Sequence, residues 1–478
     1  LLKSKVSVDN IDSTASLGVV TGAITNASNF KVERYNVAVR GFRYVAAPVT
    51  GVTAKTFKDS VIIAGPTAAG FDAPNTSVAT IKSFVEWRNP NWSKCFVSFT
   101  NINTAIAPGS GYYLFVPAKR TTVFPANAPV SLLMKGTPIT GNFNFNLYYT
   151  PTASAGWNLL GNPYPSAIDW DNAGAWTKTN VDDAIYIWDP TLGTSGSYYA
   201  YVSGISSDAR DHGSVISSGQ GFFVKANAAA PVLRVTENAK VSSTFAKSNF
   251  RQALSCYVTL RVTNQNGDVD YTTIRLNDET GRNLSAVKMY NSKINMYSKK
   301  VSGVDAYSIN AIDDAPSFEV PIYIESTNSS VYNVEVIKVI GDINATGSLK
   351  IKDQVTGTLH DVIVGAKISL IPDGNTQRIS LIRQDHVEAV VTTIGDKETD
   401  GEYQLYPTHI HGHQHPVLYM HNHHDKKIEV FNTSGERLAV HHTHHAHYAF
   451  HDFDKYGSGV YLIKVTSDHK THTFKVMK

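Results

Sequence analysis

Histidine is the residue type in this sequence most able to do chemistry. Fifteen of its eighteen histidines lie between His409 and His472. His409, His411, His413 and His415 are spaced by two, so an extended chain would set all four on one face. Imidazoles at this density bind transition metals readily. A specific site also needs fixed geometry and partners that orient each ring, and the sequence indicates neither. The histidines therefore read as a solvated, titratable surface with adventitious metal affinity, and no cofactor is expected.

Carboxylates come next. Asp169-Trp170-Asp171, Asp182-Asp183 and Asp313-Asp314 could serve glycoside hydrolysis, where two carboxyl groups stand roughly 5–10 Å apart. The competing reading is turn chemistry, with Asp side chains bonding nearby backbone N–H groups. Oxygen-rich loops can bind calcium, but no EF-hand spacing occurs. Trp87, Trp92, Trp157, Trp170, Trp176 and Trp188 all fall in the first half of the chain. They could form a flat platform for sugar rings, or they could fill a β core. Nothing resembles a nucleophile elbow, a P-loop or a His-Glu-x-x-His helix. No catalytic residue is expected, and the chain reads as non-enzymatic. The alternative is a carbohydrate-binding or carbohydrate-active extracellular protein.

The elements that would carry these residues are strands. Lys31–Arg40, Tyr257–Thr263, Tyr271–Leu276, Tyr332–Ile340 and Lys367–Pro372 are rich in Val, Ile, Tyr and Thr and mostly alternate in polarity. Turn signals separate such runs, among them Asn266-Gly267-Asp268, Pro372-Asp373-Gly374 and Ser434-Gly435. Many short strands with frequent turns predict an all-β chain of tandem antiparallel sandwiches or barrels.

The first half also repeats itself. Phe42-Arg43-Tyr44-Val45-Ala46-Ala47-Pro48 aligns with Trp157-Asn158-Leu159-Leu160-Gly161-Asn162-Pro163. Ser83-Phe84-Val85-Glu86-Trp87 aligns with Ala184-Ile185-Tyr186-Ile187-Trp188. Gly109-Ser110-Gly111-Tyr112-Tyr113 aligns with Gly219-Gln220-Gly221-Phe222-Phe223. Three matched segments in one order predict two copies of a β unit packed as a pseudo-symmetric pair. The Gly-x-Gly pairs lack the third glycine and the helix of a dinucleotide fingerprint, so they read as tight turns feeding buried strands. The expected organisation is an N-terminal segment over 1–29, repeat one over 30–150 and repeat two over 151–247. A β-sandwich over 248–385, a linker over 386–402 and a small Ig-like sandwich over 403–478 complete it.

Composition narrows the function classes. Apolar residues at 42% and aromatics at 10% argue against disorder. The net charge of +3 gives no footprint for nucleic acid or an anionic membrane. Two cysteines, Cys95 and Cys256, exclude a disulfide-stapled scaffold and a four-thiolate zinc site. The chain opens Leu1-Leu2-Lys3 and reads as a mature or trimmed fragment, so its start is silent about secretion.

The last segment carries a family resemblance. Lys427-Ile428-Glu429-Val430-Phe431-Asn432-Thr433-Ser434-Gly435-Glu436-Arg437-Leu438 resembles the strand–turn–strand of a type A sorting domain of the type IX secretion system of Bacteroidetes. Tyr456-Gly457-Ser458-Gly459-Val460-Tyr461-Leu462-Ile463-Lys464-Val465 is similar to that family's Gly-x-Tyr-x-x-Lys-Val strand, and Lys470–Lys478 to its final basic strand. The resemblance covers about 75 residues. Tyr406-Pro407 departs from the family's Tyr-Pro-Asn-Pro opening, since Thr408 and His409 follow. Gly156–Pro165 and Phe30–Val49 are similar to units of large secreted proteins of the same phylum.

The resemblance implies a secreted or cell-surface protein that crosses the periplasm and the outer membrane. Its partners would be the translocon and its outer-membrane shuttle barrel, with attachment to a surface glycan or lipopolysaccharide. It implies a non-catalytic display, stalk or adhesin-like role for the upstream units. Recognition would fall on Lys427, Gly435, Arg437, Gly457, Gly459, Tyr461, Lys464, Lys475 and Lys478. Asp12-Ser13-Thr14 and Asp59-Ser60-Val61 match an O-glycosylation pattern of that phylum, at Ser13 and Ser60.

Overall fold

The computed structural model describes residues 2, 4–6, 12–74, 80–85, 95–116, 129–151, 155–210, 212–241, 256–276, 284–300, 305–315, 317–327, 331–341, 343, 348–371, 376–384, 403–406, 417–420, 425–445, 447–450, 453, 455–456, 459–467 and 470–477. The protein is all-β, built from multiple antiparallel sheets. Among the described residues the one α-helix is a five-residue turn, Ala54–Lys58, and no helix is long and apolar enough to cross a membrane. Two compact units divide the chain: 1–345 with 349–383, and 384–478 with 346–348.

The first unit contains two sheets of the same design. In one, Gly41–Val45 pairs with Tyr112–Val116, which pairs with Ile81–Phe84, which pairs with Phe96–Ser98. In the other, Trp157–Gly161 pairs with Gly221–Lys225, which pairs with Ile185–Asp189, which pairs with Ser197–Val202. Each time the chain's first strand lies beside its last, and the middle strand forms the hairpin. The flanking strands match too. Phe30–Asn36 pairs with Val130–Gly136, and Phe143–Asn144 pairs with Val232–Val235. Alternation explains the layering: Val130, Leu132 and Met134 are buried, while Ser131, Leu133 and Lys135 face out.

The two copies clasp each other reciprocally. Val45 bridges to Gln220, and its equivalent Leu160 bridges to Ser110. The Ala46 N–H donates to the Gly219 carbonyl at 2.9 Å, and the Gly161 N–H donates to the Gly109 carbonyl at 3.0 Å. Each Gly-x-Gly turn thus receives the strand exit of the other copy. Close backbone approach requires the glycines. A Cβ on Gly111 would lie 2.5 Å from the Leu160 carbonyl, and one on Gly221 would lie 2.7 Å from Tyr44 Cβ.

The strands between Cys256 and Gln384 form one nearly closed, barrel-like sheet. Its interior is apolar, with Val258, Leu260, Val262, Ile274, Ile322, Val334 and Leu381 among its residues. Val269–Leu276 runs parallel to Ala306–Ile312, and the other strand pairs with a described register are antiparallel. Val269–Leu276 is buried along its whole length. One face lines the barrel, while Val269 and Tyr271 pack into the core of the second copy.

The second unit has two sheets. Arg437–Thr443, Lys426–Asn432, Val460–Ser467 and Lys470–Met477 form one in that order, and Tyr403–Tyr406, Val417–Met420 and His447–Ala449 form the other. Leu418 from the smaller sheet joins Ile428, Val430, Tyr461, Ile463, Val465 and Phe474 from the larger in one core.

Candidate functional site

The four-stranded sheet of the second unit gathers several residues that the resemblance singles out. Period-2 alternation sends Ile428, Val430, Ile463 and Val465 into the core, so Lys427, Glu429, Lys464 and Thr466 lie on the opposite face. Gly435 closes the hairpin in the left-handed region, at φ 85°. A bulge between Val430 and Phe431 then sets Arg437 opposite Phe431 and within reach of Glu429. The Glu429 carboxylate accepts from Arg437 at 3.0 Å and pairs with Lys427 at 2.9 Å. Lys464 stands directly opposite Glu429 in register, and Lys475 stands opposite Leu462 one row away. Lys427 first, and then Arg437, hold the Glu429 carboxyl below the usual glutamate range, against the opposing effect of burial. The result is one carboxylate among cations on the sheet face away from the core. The Lys470–Met477 strand lies at the sheet's edge, and an edge strand presents backbone donors and acceptors on one side.

Other residues of the resemblance lie elsewhere. Tyr461 is in the core, 7% exposed, with its ring 5.4 Å from those of both Tyr456 and Phe453. Gly459 precedes that strand, and a Cβ there would meet only the Tyr461 ring, at 3.9 Å. Gly457, Lys478, His409, His411, His413 and His415 lie outside the described residues, as do the side chains of Lys475 and Ser13. Ser60 is half-buried in the turn after Ala54–Lys58, where its N–H donates to the Phe57 carbonyl.

Those tryptophans and paired acids of the first unit that the structure describes are packed or hydrogen-bonded within it. Trp157, Trp170 and Trp176 are buried, and Trp188 donates its indole N–H to the Phe42 carbonyl at 3.0 Å. Trp87 and Trp92 fall outside the described residues. Asp171 accepts from the Tyr201 hydroxyl, Asp182 from Asn227, and Asp314 from Arg383. Cys95 and Cys256 are separate buried thiols. No group of three His, Cys, Asp or Glu among the described residues is placed to hold a metal ion.

A polar cluster that the sequence reading passed over lies in the second copy. His212 Nδ1 is 2.7 Å from the fully buried Asp208 carboxylate, and its Nε2 is 3.7 Å from Asp189. Arg210 bonds the same Asp189 oxygen at 2.9 Å, and Tyr199 stacks on the His212 ring at 4.2 Å. Burial pushes the Asp208 carboxyl up, but hydrogen bonds from His212, Ser206 and the Arg210 N–H outweigh it and hold the group at about 2. A carboxylate-oriented imidazole resembles a general base, yet Ser206 donates its hydroxyl to Asp208 rather than to the ring. The cluster therefore ties the loop after Ile205–Ser206 to the end of Ile185–Asp189. His212 is one of three histidines before His409, and its i,i+4 spacing from Asp208 was the available signal.

Comparison with known proteins gives one match, to the family model "Domain of unknown function (DUF8693)", over residues 4–366. No curated protein matches the chain, and no solved structure does. The matched span takes in the duplicated β units and most of the barrel-like sheet, more than half of the sequence, so the chain belongs to the DUF8693 family.

Proposed function

We propose that this is a secreted or cell-surface protein exported by the type IX secretion system, with residues 403–478 as its sorting domain and the upstream β units as a non-catalytic display or adhesin-like portion. One observation carries the reading. Lys427, Arg437 and Lys464, three cations of the resemblance, share one sheet face beside an edge strand. Such a face suits a partner that adds a strand at the edge and brings acidic groups to the cations. Signal content lies in this surface rather than in a reaction.

The test is a fusion of residues 401–478 to an inert fluorescent protein carrying an inner-membrane signal peptide, in a cell with the type IX machinery. Fluorescence outside the cell is expected, and deletion of residues 470–478 should leave it in the periplasm. Export unchanged by that deletion, or by loss of the whole domain, would defeat the reading.

A further inference from the structure

Among the described residues of the first unit, two lysine–carboxylate pairs have both side chains nearly sealed from solvent: Lys240–Glu237 and Lys288–Asp270. They differ in what surrounds the carboxyl group. Glu237 accepts from Lys240 at 2.8 Å and from the N–H groups of Val20 and Gly141. Burial pushes its carboxyl up, but those bonds outweigh it and keep it below the usual range. A fully bonded carboxylate is a stable anion and a poor electrophile.

Asp270 is placed otherwise. It sits on Val269–Leu276, 1% exposed, and its Oδ2 takes both the Lys288 ammonium and the Met296 N–H, the latter at 2.6 Å. Its Oδ1 is buried with no hydrogen-bond partner among the described residues. Burial is the largest influence on this carboxyl and raises it toward the neutral acid, even with Lys288 in contact. Backbone bonds fix both reactants. The Lys288 N–H donates to the Ala306 carbonyl at 2.7 Å, and Met296 holds the carboxyl from the neighbouring strand. The two groups are thus confined at contact distance in a dry site, where intramolecular reactions reach very high effective concentration.

We infer that Lys288 and Asp270 are the site of an intramolecular amide crosslink. The ammonium passes a proton to the carboxylate, leaving a neutral amine and a neutral acid. A bond forms from Nζ to Cγ, and the bond from Cγ to Oδ2 breaks. That oxygen leaves as water with two hydrogens from the original ammonium. No electrons are exchanged and no co-reactant is needed. The Met296 N–H holds Oδ2, the departing oxygen, in place beside the Lys288 amine. The product replaces two buried charges with one amide, removing a desolvation burden that a buried ion pair carries permanently. Its carbonyl oxygen would be the present Oδ1, and a neutral carbonyl without a partner costs less than a carboxylate oxygen without one.

Intact mass spectrometry of the purified, denatured full chain decides the matter. The expected mass is lighter by one water than the sequence requires. Tryptic digestion should yield residues 262–275 joined to residues 283–293, with cleavage blocked after Lys288. The Lys288→Met and Asp270→Ala variants should each return to full mass, and either is readable even if unfolded. A wild-type chain of full mass, releasing 262–275 and 283–288 as separate peptides, would overturn the inference. The outcome is independent of the export reading.

Discussion

The hydroxyl of Tyr44 meets the hydroxyl of Tyr198 across the two copies of the repeat, with ring centroids 6.1 Å apart and planes 18° from parallel. Burial raises the Tyr44 hydroxyl well above its ordinary range, so the contact is between neutral phenols. Removing one hydroxyl breaks this bond inside a buried aromatic cluster, whereas removing both leaves an apolar contact. Tyr44→Phe should cost roughly 1–3 kcal/mol, and the Tyr44→Phe, Tyr198→Phe double variant less than the sum of the singles. Urea unfolding of the four proteins in the cycle measures it.

The clasp between copies should tolerate no side chain at its glycines. A Cβ on Gly161 would collide with Ala46 Cβ and lie 2.6 Å from the Ser110 carbonyl. Gly161→Ala and Gly111→Ala should each lose roughly 1–3 kcal/mol or more through overpacking against backbone. Gly18→Ala, with nothing within 4 Å of the added carbon, is the control and should stay within about 0.5 kcal/mol. Denaturant midpoints for the three variants provide the comparison.

Asp208 gives the first unit an acid-sensitive strut. Its carboxyl titrates at about 2 in the folded chain and near ~3.9 when unfolded. The folded value is the lower one, so its stabilisation is complete above ~4 and drains away as pH falls toward about 2. Asp208→Asn should remove roughly 2 kcal/mol at neutral pH and also remove that part of the acid loss. Urea titrations at neutral pH and near pH 2 compare wild type with variant.

The cationic sheet face gives a separate prediction about export. Lys427→Glu, Arg437→Glu and Lys464→Glu together should cut secretion roughly tenfold or more by opposing an acidic receptor. Circular dichroism of the purified domain should stay β-rich, because none of the three side chains lies in the core. Secretion at the wild-type level would remove these cations from the recognition surface.

Much of the fold was legible because strand polarity has a period of two. Val130–Gly136 and Val460–Ser467 alternate in burial residue by residue. Strands of both four-strand arrangements fall on the aromatic and Gly-x-Gly landmarks of the sequence. The reciprocal bridges of Val45 and Leu160 were not legible, because spacing along a chain does not state which turn a strand exit will meet. Val269–Leu276 misleads for a related reason: its Asp, Thr and Arg residues suggest exposure, yet all eight residues are buried, and Val269 and Tyr271 lie in the core of the second copy. Trp170 and Trp176 went into a core where a sugar platform was the rival expectation. His212 was overshadowed by the crowded histidines downstream, and its partner Asp189 comes from a different strand.

The clasp between the copies is symmetric in kind. At the Val45 and Leu160 bridges and the Ala46 and Gly161 bonds, what copy one gives to copy two it also receives, as at an isologous two-fold interface. A lone copy would carry both a strand exit and a Gly-x-Gly receptor, and would complete itself only against a twin. Within one chain, the two copies are thus related as the subunits of a two-fold dimer are. The symmetry is one of backbone rather than of side chains: Leu160 and Gly161 stand where the first copy has Val45 and Ala46.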